Sequence, residues 1–445
     1  MSRTANLVSD PSADHRGPLR VLVLGATGLI GAAVSARLST QGHDVVRLAR
    51  SAREGAGQGR AIAADIAKLT REEDWQPYLE GIDAVVNCAG VLQDSVRDST
   101  AGVHVDGTGA LFGACEALGV RKIVHISAIG VDRAGPTAFS RTKLEGDKLL
   151  MARDLDWVIL RPVLVIGRAA FGGSALLRAL AAFPVLPVPP DMKPMQIVQL
   201  DDLVETVSFF LRPGAPSKLI LEVAAPDRLS FVEVVTAYRQ WLGWKPARSV
   251  RVAAAPARIL YGLGDLLSWL GWRPPLRSTA RREISRGIVG ESGAWTAATG
   301  IRPQSLHDAL AAEPASVQDK WFAKLYLLKS VVFGVLALYW IATGVIALGP
   351  GWETGMELMA ESGAARHGPL LIVSGAMADI LIGLGIACRP TARLSLWAAL
   401  GLSVAYVIIG TILMPALWTD PLGPMTKIFP ILALNLVALA ILEER

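Results

Sequence analysis

Three glycines stand at a spacing with chemical meaning, in Gly25-Ala26-Thr27-Gly28-Leu29-Ile30-Gly31. They follow a short apolar run, Arg20–Leu24 (RVLVL), and open a helical pattern over about Leu29–Gln41. Such a run fits a strand buried on both faces. Glycine at 25 permits a tight turn, glycine at 28 lets the backbone approach a pyrophosphate, and glycine at 31 lets the helix lie close to the strand. The helix start adds free N–H groups and the positive end of its dipole. The implied chemistry is dinucleotide binding, because the glycines sit between a strand and a helix as the fingerprint requires. The bland alternative is a structural turn.

The end of the second strand selects between dinucleotides. A site preferring NAD places an acid there, on the ribose 2′-hydroxyl. Here the segment Arg47–Arg53 (RLARSAR) has no acid before Glu54. Arg50, helped by Arg53, suits a 2′-phosphate, so NADP is expected over NAD. An ordinary solvated basic loop would look the same. Asp65-Ile66 follows the third strand, where Asp65 is placed to meet the adenine amino group or to cap the next helix.

These residues need a scaffold, and the alternation of short apolar runs with helical patterns supplies it. Strands are expected at Arg20–Leu24, Asp44–Ala49, Ala61–Ala64, Ala84–Asn87, Lys122–Ser127 and Trp157–Arg161. Helical patterns lie between them, notably Asp65–Glu80, Thr100–Leu118 and Thr137–Arg153. This predicts an α/β Rossmann-type, doubly wound parallel sheet. Ala181–Pro194 is too proline-rich for a regular element. Gln199-Leu200-Asp201-Asp202 opens a helix with good capping residues. Residues 254–272 are apolar but too short and glycine-broken for a membrane span. Trp241, Trp244, Trp269 and Trp272 fit either core packing or a surface helix at lipid headgroups.

The glycine spacing, Asp65-Ile66, Asn87-Cys88-Ala89-Gly90, the strand ending in Ser127 and Arg161-Pro162 through Gly167 together resemble the short-chain dehydrogenase/reductase superfamily. The forms GATGLIG, ISAIG and RTKLEGD are most similar to its atypical branch, which includes the NDUFA-type accessory subunit of respiratory complex I and its bacterial relatives. The resemblance covers roughly residues 19–315. It implies that Gly25, Ala26, Thr27, Gly28, Leu29, Ile30, Gly31, Cys88, Ala89, Gly90 and Pro162 line the cofactor. It also implies that Ser127 polarises a substrate carbonyl and Lys143 holds the nicotinamide ribose. The superfamily's proton-transferring Tyr stands four residues before that Lys, and here the position is Phe139. A phenyl ring cannot transfer a proton, and losing a positioned acid costs about 10²–10⁴-fold in rate. Either hydride chemistry persists with another proton route, or the nucleotide is held without turnover.

The rest of the chain reads as membrane. Hydrophobic residues make up 52% of it and the mean hydropathy is +0.41. From Trp321 onward seven Lys/Arg balance seven Asp/Glu, so the net charge of +5 sits in residues 1–320. No basic block is long enough to suggest nucleic acid, and anionic headgroups suit the excess better. A span needs about 20 apolar residues. Leu325–Leu348, Leu370–Cys388 and Leu394–Trp418 meet that, and Ile428–Leu442 is short but flanked by Lys427 and Glu443, which can snorkel. An all-α four-helix bundle over residues 316–445 is expected, and it is similar to the DoxX-like family, some of whose members are tied to quinone chemistry.

Lys320, Lys324, Lys329, Arg389 and Arg393 share one side of these spans. By the positive-inside rule both termini and the nucleotide domain are cytoplasmic, and the protein is a multi-pass inner-membrane protein. Asp379 lies near mid-membrane, where a carboxylate faces the bundle interior. It is expected as a quinol or proton-relay partner, or as a structural Asp beside Asn435 or Ser374. The expected partners are the lipid bilayer, a quinone or other lipophilic substrate, and a membrane-complex subunit. Three cysteines without a CxxC pair argue against a disulfide framework or a metal site. Residues 1–18 read as a disordered leader.

Overall fold

The computed structural model describes residues 17–51, 59–96, 98–190, 192–272, 274–363 and 365–442. Residues 1–16 of the leader expected over 1–18 lie outside them, as do Arg53, Glu54 and Glu443.

The first half carries strands β1 (Arg20–Leu24), β2 (Asp44–Ala49), β3 (Ala61–Ala63), β4 (Ala84–Asn87), β5 (Lys122–Ile126) and β6 (Asp156–Pro162). Helices α1 (Leu29–Thr40), α2 (Glu72–Leu79), α3 (Thr108–Leu118) and α4 (Ala138–Met151) alternate with them. Onward run β7 (Leu164–Ile166), α5 (Gly172–Leu180), β8 (Val185–Val188), β9 (Ile197–Gln199), α6 (Leu200–Leu211), β10 (Leu219–Val223), α7 (Phe231–Trp241) and β11 (Arg248–Arg251). Then come α8 (Ala254–Trp269), α9 (Ser278–Arg286), α10 (Gly293–Thr299) and α11 (Leu306–Ala312).

The main sheet is parallel, in the order β10-β6-β5-β4-β1-β2-β3. Alternation within β1 shows why its whole run is apolar. Val21 and Val23 pack with Val34 and Leu38 of α1 and with α6, whereas Leu22 and Leu24 pack with Trp75 of α2 and Leu111 of α3. A strand covered by helices on both faces needs apolar residues at every position. The strand order reverses between β1 and β4, which opens the crevice where such sheets hold ligands.

Four local expectations need correction. The helix expected over Asp65–Glu80 is only a turn at Ile66–Lys68 followed by α2. Asp65 caps that first turn by accepting from the Ala67 N–H, and α2 restarts with its own cap, in which Asp74 accepts from the Arg71 N–H at 3.0 Å. The stretch Ala181–Pro194 does contain a regular element, β8. Pro187 is tolerated because β8 pairs only with β11 in a two-stranded ribbon, where one edge needs no donor. At α6 the N-cap is Gln199, which makes no side-chain cap, and Asp202 accepts instead from the Gln304 N–H at 2.9 Å. The expected third span stops at Leu413, because Met414 before Pro415 leaves the helical region.

The second half holds α12 (Val317–Leu348), α13 (Trp352–Glu361), α14 (Gly368–Ala387), α15 (Ala392–Leu413) and α16 (Ile428–Ile441). Among the described residues, α12, α14 and α15 are long and apolar enough to cross a membrane. The fourth bundle helix, α16, has 14 residues. At 1.5 Å per residue it reaches about 21 Å, short of the roughly 30 Å hydrocarbon core. Helix α13, inside the loop expected between the first two spans, was not foreseen. Leu336, Trp340, Ile382, Ile386, Leu396 and Ala438 form the bundle interior. Outward, Leu338, Leu381, Leu394 and Ile412 are exposed. Glycine sets the closest approach: a Cβ on Gly344 would lie 2.4 Å from the Ala376 carbonyl, and one on Gly383 would lie 2.8 Å from that of Ala337. Small residues that let backbones touch are how membrane helices associate.

Candidate functional site

The carboxyl ends of β1 to β6 bring the singled-out residues to one edge of the sheet. After β1, Gly25 has φ +67° and its missing Cβ would stand 2.9 Å from the Cys88 carbonyl. Gly31 is tighter, since a Cβ there would lie 2.3 Å from the Gly25 carbonyl. Gly28 is the N-cap of α1 and has no side chain to block its free N–H groups. Ala26 and Leu29 are buried at this turn, Thr27 is exposed, and Gly28 and Ile30 are intermediate. The turn is therefore closed to any larger residue at Gly25 and Gly31, and it leads directly into the N-terminus of α1.

Arg50 follows β2 and pairs with Asp98 at 2.6 Å. Asp65 follows β3, with Ile66 buried behind it. The Ile66 carbonyl sits so close to Gly107 that a Cβ there would come within 2.1 Å. After β4, the Ala89 N–H donates to Asn87 Oδ1 at 3.0 Å, which fixes the Cys88-Ala89-Gly90 turn. Burial pushes the Cys88 thiol up to about 12, so it stays protonated. Pro162 ends β6, and its carbonyl accepts from the Ile129 N–H just beyond Ser127.

Lys143 on α4 is buried, with 4% of its surface exposed. Its Nζ donates to the Ile126 carbonyl at 2.8 Å and the Ala89 carbonyl at 3.1 Å, joining the ends of β4 and β5. Burial brings its ammonium down to about 8, opposed by the charge of Asp147. Ser127 is buried beside this region, with its hydroxyl turned toward the Asp147 carboxylate. Phe139 is half-buried one turn before Lys143 on the same helix.

Several residues here escaped the sequence reading. His104 lies in a widened helical turn, Gly102–Gly107, of the kind common at functional sites. Its Nε2 accepts from the Val91 N–H at 3.0 Å, and its Nδ1 lies 2.8 Å from Thr142 Oγ1. Burial, together with the charge of Lys143, takes its pKa down to about 2. Beneath the site, Asp147 is fully buried and takes two hydrogen bonds from Arg161, at 3.0 and 3.1 Å. His125 Nε2 is 3.5 Å from its other oxygen. Burial opposes ionisation of Asp147, yet His125, Ser127 and Arg161 hold its pKa below the usual carboxylate range. The available signal was periodicity: Asp147 is four residues after Lys143 on one helix face, and His125 is two before Ser127 on one strand face.

In the bundle, Asp379 is buried and accepts from the Tyr406 hydroxyl at 2.9 Å. Asn435 and Ser374 are not its company. The Asn435 amide donates to the Ile431 carbonyl and the Ser374 hydroxyl to that of Leu371, each within its own helix. A shallow pocket of about 520 Å³ also opens beside α9, walled by Arg133, Glu222 and Arg286.

A family described as NAD(P)H-binding matches residues 25–173, and the DoxX-like family matches residues 337–436. The chain thus joins an NAD(P)H-binding domain to a DoxX-like membrane domain. An uncharacterized protein of Mycobacterium tuberculosis is 29% identical over 220 residues, 49% of this chain but only 23% of that protein's length. The dTDP-6-deoxy-L-talose 4-dehydrogenase (NAD(P)(+)) of Kitasatospora kifunensis is 28% identical over 308 residues, covering 54% of this chain and 95% of the relative. Sterol demethylase protein B of Methylococcus capsulatus is 26% identical over 327 residues, covering 66% and 96%. Among solved structures, the Bordetella bronchiseptica enzyme WbmG in complex with NAD superposes with a TM-score of 0.53 at 17% identity, over 69% of this chain and 96% of that one. The NAD(P)H-binding domain therefore has a Rossmann-type fold, shared with the NAD-bound WbmG.

Proposed function

We propose that this protein is a membrane-anchored NADP(H)-dependent oxidoreductase that passes hydride to a lipophilic acceptor such as a quinone. On this reading residues 19–315 are the catalytic domain, residues 316–445 are the membrane domain, and the nucleotide site faces the cytoplasm across the inner membrane. The observation that carries it is convergence. The Gly25–Gly31 cradle, Lys143 and Ser127 meet at one sheet edge, in a chain whose spans bury the Asp379–Tyr406 pair.

The roles follow from the donor set. The N-terminus of α1 takes the pyrophosphate, and Arg50 with Arg53 takes the 2′-phosphate, so NADP is preferred to NAD. Lys143 spends two of its three N–H donors on carbonyls. The third is left for a ribose hydroxyl. When bound, NADPH would supply the hydride, which with one solvent proton turns a quinone into its quinol. The Ser127 hydroxyl donates to the acceptor oxygen, since Phe139 has nothing to donate. Asp379 with Tyr406 supplies a polar waiting place for a quinone head inside the bundle, from which the quinone moves to the nucleotide before hydride passes. That sterol demethylase protein B is a relative supports an apolar substrate.

Phe139 favours a second reading, in which the domain holds NADPH without turning it over and serves a membrane complex as a structural or sensing part. Stopped-flow oxidation of NADPH by the full chain in lipid nanodiscs, with and without a ubiquinone or menaquinone analogue, separates the two. Quinone-dependent oxidation supports the enzyme, and its absence with every quinone supports the second reading.

A further inference from the structure

Helix α8 has two unlike faces. Ala257, Tyr261, Gly264 and Ser268 are its buried positions, recurring at helical spacing on one side. That side lies so close to the chain beyond that a Cβ on Gly264 would meet the Leu276 carbonyl at 1.7 Å. The opposite side presents Ile259, Leu260, Leu263, Leu266, Leu267 and Trp269, all exposed, with Leu263 at 51% and Trp269 at 66%. A contiguous apolar stripe of this size on the outside of a helix marks a binding surface.

What covers it is indicated by where the segment is tied. Ahead of α8, the ring of Trp244 receives Lys324 Nζ at 5.7 Å, at the start of the apolar part of α12. Behind α8, the Trp272 indole donates to the Ala387 carbonyl at 2.7 Å and packs on Phe333 at 4.8 Å. The Arg389 N–H donates to the Leu270 carbonyl at 2.9 Å. Lys324 and Ala387 thus tie the segment to the ends of α12 and α14 nearest the nucleotide-binding domain, where spans meet headgroups, and Phe333 continues the contact along α12. The segment between them also carries Arg248, Arg251 and Arg258, each exposed. Basic groups flanking an apolar helix face fit anionic headgroups above acyl chains.

We propose that α8 is an interfacial helix, lying in the bilayer surface with Leu263 and Leu266 in the acyl–headgroup boundary. The inference rests on the membrane reading of the bundle and deepens the proposed function. Asp265, on the flank of α8, accepts from Gln93 Nε2 at 3.0 Å, in the loop that follows the Cys88–Gly90 turn. The helix therefore brings one wall of the nucleotide site to headgroup level, where a membrane-dissolved acceptor can enter without crossing water.

The test uses the full chain in vesicles of phosphatidylethanolamine and phosphatidylglycerol. Benzoylphenylalanine replaces Leu263, and separately Ile412 in α15 and Leu118 at the exposed end of α3. After irradiation, intact mass reports what each position has captured. Lipid adducts at 263 are expected within about threefold of the yield at 412, with none at 118. Cross-links from 263 to a second copy or to another protein, or a lipid yield about tenfold below that at 412, overturn the proposal. No lipid adduct at 412 would remove the membrane reading itself, and this proposal with it.

Discussion

The ring of Phe139 stands edge-on to the imidazole of His104, with centroids 5.7 Å apart and planes at 77°. The imidazole is fixed as a neutral tautomer, because Nε2 accepts from the Val91 N–H and Nδ1–H faces Thr142 Oγ1. With its pKa near 2 it neither gives nor takes a proton at physiological pH. The position four residues before Lys143 and its neighbour are therefore two groups inert to proton transfer.

Restoring the phenol tests what that inertness means. On the oxidoreductase account, Phe139→Tyr changes quinone-dependent turnover by less than about tenfold, because the proton already has another route. A gain of about 10²-fold or more, read as NADPH oxidation, would show that the native chain lacks a working proton donor and favours the second reading.

Arg50 is expected to set the choice of cofactor. Hydrogen bonds to a charged group are worth about 1.5–3 kcal/mol, so Arg50→Ala should weaken NADPH binding by about 10-fold or more and NADH binding by less than about threefold. Titration by nucleotide fluorescence checks both. Equal losses would mean that Arg50 acts only through its Asp98 ion pair.

Lys143 gives two pH dependences of opposite sign. Its ammonium has a pKa of about 8 in the folded protein against an ordinary 10.5, burial being the main cause. If the charged form holds the nucleotide, affinity is flat below pH 8 and falls by up to about tenfold per unit above it. Stability moves the other way. Between about 8 and 10.5 the unfolded chain binds more protons than the native one, so this group makes the fold more stable as pH rises through that window. Lys143→Met should remove the break in the affinity profile.

Gly31→Ala forces a Cβ to within 2.3 Å of the Gly25 carbonyl, so α1 must move off β1. Overpacking of this kind costs about 1–3 kcal/mol. NADPH affinity should drop at least tenfold, which is about 1.4 kcal/mol. Unchanged affinity would mean that the cradle is not the phosphate site.

Asp379 and Tyr406 should act as a unit. If the pair holds the quinone head, Asp379→Asn and Tyr406→Phe each reduce quinone-dependent turnover, and the double variant is no worse than the more damaging single one. Nucleotide affinity stays within about twofold, because neither residue is part of the nucleotide cradle. Losses that add in the double variant would mark the two as independent structural groups.

Legibility in the sequence followed the range of the forces. The glycine turn, the β1–β6 runs and the long spans are local patterns, and they stand in the structure close to where the letters put them. Strand β10 escaped because Leu219–Val223 earns its place only by pairing with β6, a contact across more than 50 residues. Pro187 masked β8, since only a two-stranded ribbon spares it a donor. Asp379 announced itself as a lone acid among apolar residues, but its partner did not, since Tyr406 reads as one more span aromatic until α14 and α15 are packed together. The buried His125–Asp147–Arg161 group was equally hidden, being assembled from β5, α4 and β6.

The most direct test of the account is nucleotide binding by the purified full-length chain in detergent, measured by fluorescence titration with NADPH and with NADH. The account predicts saturable binding of one nucleotide per chain, with NADPH favoured by about tenfold or more. Failure to bind either nucleotide would contradict it.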